Sequence, residues 1–298
     1  MMEIKRIFVV GAGLMGSGLA QTVAQSGLEV VLNDVTEEAA QKGFSRIQSS
    51  LEGRVAKGKM SEEEKDAALS HISCAGTLEK AATCQLVIEA AYENIGVKQA
   101  VYKSLDEICG PHTIYASNTS SISITSLASA VKHPENFIGM HFFSPVPVMK
   151  LLEITKGLRT SDETLQAVKA VGEKMNKVII VSKDMPGFIV NRMLDPMINE
   201  AIEILDQGIG SVEDIDNGMK YGCNHPMGPL ELVDMIGIDV HYSVMQVIHS
   251  ELGESKYRPS PLLRKMVQAG LTGKKAKAGF YLYDDEGKKV SVNPIFAG

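Results

Sequence analysis

An apolar run, Ile7-Phe8-Val9-Val10, ends at Gly11-Ala12-Gly13-Leu14-Met15-Gly16, and this junction restricts the fold more than any other stretch. Four apolar residues rich in β-branching have the length of a strand buried on both faces. The G-x-G-x-x-G spacing then turns the chain into a helix, and each glycine has its own task. Gly11 allows the tight turn, Gly13 lets backbone approach a pyrophosphate, and Gly16 lets the helix pack on the strand. N–H groups at the helix start, around Leu14 and Met15, have no intrahelical acceptor and face the anion. Alone, the motif is equally an ordinary strand-to-helix turn. Here a second apolar strand, Glu29-Val30-Val31-Leu32-Asn33, ends in Asp34, 18 positions after Gly16 and 23 after Gly11. A carboxylate there accepts both ribose hydroxyls of an adenosine and repels a 2′-phosphate. The series implies a dinucleotide site, with NAD(H) favoured over NADP(H).

A chain of 298 residues with 44% hydrophobic content can bury a full core, and two domains are expected. A net charge of -6 gives no basic footprint, and 5% aromatics with no Trp offer no base-stacking platform. Nucleic acid is therefore not an expected partner. Cys74, Cys84, Cys109 and Cys223 are widely spaced and read as reduced thiols of a cytoplasmic protein. No run has the length of a membrane span, and a strand beginning by Ile4 leaves no room for a leader in the chain as given.

Thr36 followed by Glu37 and Glu38 starts a helix that runs to about Val55, and Ser61 with Glu64 forms a capping box for another ending near His71. This excursion, about residues 36–71, either covers a ligand or is a solvated surface hairpin. Strands at 85–89, 113–116, 137–143, 151–155 and 178–181 then alternate with helices at 97–109, 124–131 and 164–175. That alternation predicts an α/β, doubly wound, Rossmann-type sheet, mostly parallel, over residues 1–185. After Ser182-Lys183-Asp184-Met185-Pro186-Gly187 the spacing becomes helical, with Pro196 inside the first helix and no strand before Phe280-Tyr281-Leu282-Tyr283. Residues 186–298 are read as an all-helical C-terminal domain for substrate and dimerisation. Its methionines, Met193, Met197, Met219, Met235, Met245 and Met266, are core filler or a face buried on a second copy; a homodimer is expected.

Redox chemistry beside a carbonyl needs a proton donor or acceptor. Of seven histidines, His141 stands out in Gly139-Met140-His141-Phe142-Phe143-Ser144-Pro145. It ends a sheet strand, where open α/β sheets bind ligands. Glu153 interrupts the apolar run Leu151-Leu152-Glu153-Ile154 and needs a partner. An adjacent strand carrying His141 would supply one, either as a catalytic pair or as a buried structural one. Ser117-Asn118-Thr119-Ser120-Ser121 can hydrogen-bond a ligand or cap the next helix. Asn191, one turn inside the helix after Pro186-Gly187, can face a cleft or be structural. No H-E-x-x-H or C-x-x-C pattern suggests a metal.

GAGLMG, the stretch Glu93 to Lys98, SNTSS, HFFSPVPVMKLLEI, DMPGFIVNR, HPMGPLEL and GKKAKAGFY together resemble the 3-hydroxyacyl-CoA dehydrogenase family over essentially the whole length. The likeness is greatest to its short bacterial members acting on 3-hydroxybutyryl-CoA. The resemblance implies NAD as cofactor and reversible oxidation of an (S)-3-hydroxyacyl-CoA to the 3-oxoacyl-CoA. It implies His141 as base toward the 3-hydroxyl, Glu153 as its orienting partner, and Ser120 and Asn191 as holding the substrate oxygen and the dyad. Gly11, Gly13, Leu14, Met15, Gly16, Asp34, Glu93, Lys98, Asn118, Ser120, Ser144 and Lys275 fall at dinucleotide positions. Lys57 and Lys59 fall in the region that meets the phosphates of coenzyme A. Ser144 departs from the family's common Asn, which shortens the reach of that side chain toward the nicotinamide. Oxidation of a free hydroxy acid or sugar acid of the gulonate type, and a non-catalytic crystallin-like NAD-binding role, are the alternatives.

Overall fold

The structure is a computed structural model that describes residues 3–297. It divides into two compact units, Met1–Met185 and Pro186–Gly298.

The first unit is built on strands β1 (Arg6–Val10), β2 (Glu29–Asn33), β3 (Ile72–Ala75), β4 (Leu86–Glu89), β5 (Ile114–Ser117), β6 (Phe137–Phe142), β7 (Leu151–Lys156) and β8 (Val178–Lys183). They form one sheet in the order β3-β2-β1-β4-β5-β6-β7-β8, parallel throughout except for the antiparallel pair β6 and β7. Its helices are α1 (Leu14–Gln25), α2 (Glu37–Ala56), α3 (Glu62–Ser70), α4 (Ile95–Ile108), α5 (Ile124–Ala128) and α6 (Asp162–Lys174). The continuous apolar runs of β1 and β4 are fully buried, as strands covered on both faces require. Strand order reverses between β1 and β4, so the glycine turn lies at the switch point where such sheets open a ligand crevice.

The caps are where the side chains dictate. Thr36 Oγ1 accepts from the Ala39 N–H, and Ser61 and Glu64 close a reciprocal capping box. The excursion is anchored to the core on one face. Ile47 and Leu51 of α2 and Ala68 of α3 belong to the core of the unit, and the two helices form the crossover to the edge strand β3. That strand, Ile72-Ser73-Cys74-Ala75, has no apolar run to announce it.

The second unit contains α7 (Val190–Asp206), α8 (Val212–Asn217), α9 (Pro229–Ile236), α10 (Ile238–Leu252) and α11 (Pro261–Gln268), with Pro196 inside α7. Its separate core includes Ile198, Ile202, Leu230, Val233, Leu263 and Phe280. The unit is not wholly helical: β9 (Tyr281–Tyr283) and β10 (Lys289–Val292) close it with an antiparallel hairpin. β10 was hidden because its residues are exposed and carry lysine and serine.

Candidate active site

Gly11 adopts φ +93°, and a Cβ there would stand 2.7 Å from the Ala90 carbonyl oxygen, so only glycine fits the turn. A Cβ on Gly16 would lie 1.7 Å from the Gly11 carbonyl oxygen, which is why α1 can press so closely on the loop. Over Gly13, by contrast, a Cβ would meet nothing within 4 Å. Gly13 is the N-cap of α1, contributes no side-chain cap, and has no acid in the turn that follows. Open space, uncapped N–H groups and the helix dipole together suit a pyrophosphate. Leu14 is exposed beside it and Met15 is half-buried.

The loop is held from three elements. The Ala12 N–H donates to Asp34 Oδ2 at 2.8 Å, while its carbonyl accepts from Ser17 Oγ and Arg46 Nη1, each at 2.9 Å. Asp34 Oδ1 accepts from the Val35 N–H at 2.8 Å, so backbone donors hold both oxygens of the carboxylate that follows β2. The residues of this turn therefore fit a dinucleotide. Arg46 carries no sequence signal: it is one arginine on a polar helix.

Farther along the same edge, β6 and β7 pair in the register that sets His141 opposite Glu153. His141 Nδ1 lies 3.0 Å from Glu153 Oε2; the carboxylate is wholly buried and the imidazole 6% exposed. The Phe143 ring packs on the imidazole with centroids 4.3 Å apart. A neutral imidazole whose Nδ1–H is given to a carboxylate carries its acceptor lone pair on Nε2. Asn118 Oδ1 accepts from the Phe142 N–H at 2.9 Å and ties the end of β5 to β6. Ser120 and Ser144 follow β5 and β6 in exit loops at this edge, Ser120 half-buried and Ser144 exposed.

Glu93 and Lys98 form an ion pair in which the lysine is buried and the glutamate exposed. Lys98 is 1% exposed, with Nζ 2.6 Å from Glu89 Oε1 and 3.1 Å from Glu93 Oε2. Glu93 Oε1 in turn accepts from the Thr119 hydroxyl and, at 3.1 Å, from the Ser120 N–H. Glu89 was not singled out from the sequence, although Leu86-Val87-Ile88-Glu89 carries the same signal as Glu153, an acid at an apolar strand.

The second unit holds Asn191 in the first turn of α7 and Lys275 in the loop before β9, where its ammonium pairs with Asp239. Lys57 and Lys59 are exposed at the turn from α2 to α3. A helix of 20 residues separates that turn from Asp34 by about 30 Å, so the structure does not bring these lysines to the glycine turn. Also in this unit, Asp195 Oδ1 meets His241 Nδ1 at 2.8 Å in a sealed pair between α7 and α10. No group of His, Cys, Asp and Glu among the described residues is arranged to hold a metal ion. Burial raises the thiol pKa of Cys74, Cys84 and Cys109.

Residues 6–185 match the family described as 3-hydroxyacyl-CoA dehydrogenase, NAD binding domain, and residues 187–283 match the C-terminal domain of that family. The chain is 52% identical over 285 residues to the probable 3-hydroxybutyryl-CoA dehydrogenase of Bacillus subtilis (strain 168), covering 96% of this chain and 99% of that protein. It is 50% identical over 280 residues to the 3-hydroxybutyryl-CoA dehydrogenase of Bradyrhizobium diazoefficiens, covering 94% and 96%. The crystal structure of the (S)-3-hydroxybutyryl-CoA dehydrogenase from Ralstonia eutropha superposes with a TM-score of 0.92 at 48% identity, over 95% of this chain and 100% of that one. With both halves matched in order and the glycine turn shaped for a dinucleotide, this chain belongs to the 3-hydroxyacyl-CoA dehydrogenase family, whose cofactor is NAD.

Proposed function

We propose that the chain interconverts (S)-3-hydroxybutyryl-CoA and acetoacetyl-CoA, with His141 as general base and Glu153 as its orienting partner. The observation that carries this reading is the buried Nδ1–Oε2 contact of 3.0 Å between them at the ligand-binding edge of the sheet. Glu153 fixes the tautomer that presents Nε2 and stabilises the imidazolium that forms when the 3-hydroxyl proton is taken. In the reverse direction the imidazolium returns that proton to the forming alkoxide. NAD, when bound, supplies the acceptor for the hydride leaving C3. Ser120 and Asn191 hold the substrate oxygen and the dyad. Gly11, Gly13, Leu14, Met15, Gly16 and Asp34 cradle the dinucleotide, with Asn118, Ser144 and Lys275 around it. Lys57 and Lys59 meet coenzyme A phosphates as exposed cations.

A second copy completes the enzyme through the helical unit, whose Met193, Met235 and Val240 are exposed apolar side chains. The working compartment is the cytosol, which suits four unpaired cysteines; recovery of the native protein from another cell fraction would refute this.

Loss of NADH absorbance tests the activity, with acetoacetyl-CoA in one cuvette and free acetoacetate in another. Rapid loss with the thioester alone is expected. Equal loss with free acetoacetate, or none with either while NADH binds, overturns the reading.

A further inference from the structure

We infer that Glu89 is a positioning residue for this reaction, acting on Ser120 through Lys98 and Glu93; the inference rests on the acyl-CoA reading above.

Glu89 closes β4 with no exposed surface, yet both its oxygens are fully used. Oε1 accepts from Lys98 Nζ and from the Ala91 N–H, each at 2.6 Å. Oε2 accepts from Ser117 Oγ at 2.7 Å and faces the Tyr102 hydroxyl at 3.4 Å. Four elements therefore converge on one carboxylate: β4, the loop after it, α4 and β5.

Such a pair is poor at stabilising a fold, because burying two charges loses about as much as their attraction returns. An apolar pair would fill the same space. What an apolar pair would lack is the next link. The Lys98 ammonium, drawn inside by Glu89, still reaches Glu93 at 3.1 Å. Glu93 is 39% exposed and would otherwise move freely in water. Its other oxygen is then set against the Thr119 hydroxyl and the Ser120 N–H. Each link is a charge-assisted contact of defined direction. The series runs from the rigid sheet to the backbone of the one serine in the loop that the proposed mechanism uses.

Within the chain, Lys98 is held by its own neighbours. Its three nearby acceptors are Glu89, Glu93 and, at 3.5 Å, the Ala91 carbonyl, all from the chain itself. Losing Glu89 leaves the ammonium a single carboxylate, so Lys98 and Glu93 relax together and Ser120 loses its fixed acceptor.

The test is Glu89→Gln in the full chain, read in three ways. Amide exchange at Ser120 should quicken about tenfold while β1 and β5 amides keep their protection. Turnover of acetoacetyl-CoA per NADH-binding site should fall about tenfold or more, as small displacements of a positioning group do. The Kd for NADH, from fluorescence, should change less than turnover does. Because a buried ammonium left with one carboxylate can unfold the chain, the double variant Glu89→Leu with Lys98→Met is measured beside it. It removes both charges and should show the same loss at Ser120. Unchanged exchange and turnover in a folded variant overturn the inference. So does a tenfold weaker Kd for NADH with turnover intact, which would assign the pair to the cofactor. A wild-type chain inactive on acetoacetyl-CoA would instead overturn the acyl-CoA reading, while Ser120 exchange would still report on the relay.

Discussion

His141 and His241 each place Nδ1 against a buried carboxylate, at 3.0 Å and 2.8 Å, so pairing does not by itself mark a catalytic histidine. Location separates them. His141 ends a strand at the carboxyl edge of an open sheet, whereas His241 is sealed between two helices with its Nε2 buried and unpartnered. A base must reach its proton, and the strand-end position is what favours His141 in the proposed mechanism. His141→Ala should abolish turnover and leave the NADH Kd unchanged. Glu153→Gln should lower kcat about 10²- to 10⁴-fold, because the imidazolium loses its counter-charge and the tautomer is no longer fixed. Normal turnover in either variant, measured with acetoacetyl-CoA, would remove the dyad from the mechanism. Glu153 was legible because an acid inside an apolar strand demands a partner. Asp195 was not, since an acid on an amphipathic helix usually faces water.

At the scale of elements, several motif residues serve the scaffold. Asp184 accepts from Ser123 Oγ and from the Ile124 and Thr125 N–H groups, anchoring the start of α5 from the end of β8. Asp216 accepts from the Leu230 and Glu231 N–H groups at the start of α9, and from the Tyr281 hydroxyl. Asp234 accepts from the Phe280 and Tyr281 N–H groups and the Tyr283 hydroxyl, so it holds the hairpin to α9. The glycines of HPMGPLEL and GKKAKAGFY leave room for these acids: a Cβ on Gly228 would lie 2.2 Å from Asp216, and one on Gly279 1.9 Å from Asp234. Burial outweighs the three donors on Asp234 and, with the nearby charge of Asp216, raises its pKa to about 6. The folded state then binds this proton more tightly than the unfolded chain, whose Asp titrates near 3.9. Its contribution to stability is full below about pH 4 and is lost as the pH rises through about 6, a change of about 3 kcal/mol. Urea unfolding at pH 4 and pH 7 should show this fall, and Asp234→Asn should flatten it by that amount. An unaltered slope in the variant would mean that the carboxyl titrates normally.

At the scale of the whole molecule, the chain has two units with separate cores. The first offers one sheet edge that bears the glycine turn, Asp34, Ser120 and the His141–Glu153 pair. The second offers exposed apolar helix residues, and the proposed dimer predicts a solution mass near twice 32.2 kDa by light scattering. A mass of one chain at micromolar concentration would assign those methionines to another use.

The sequence by itself determined the sheet, most of its helices and the nature of the cofactor site. Each of these rests on local signals: unbroken apolar strands, caps within four residues, and glycines whose backbone needs are met by near neighbours. It also pointed to His141 and Glu153, because the desolvation of a carboxylate can be felt from its own strand. Only the tertiary structure decided their register, the edge strand β3, the clamp of Arg46 on Ala12, and the inward turn of Lys98. Those depend on partners 12 to 42 residues or more away, or on a choice between two nearby carboxylates that spacing treats alike. A lysine at a helix start points to solvent by default, and it turns inward here because β4 ends in an acid that water cannot reach.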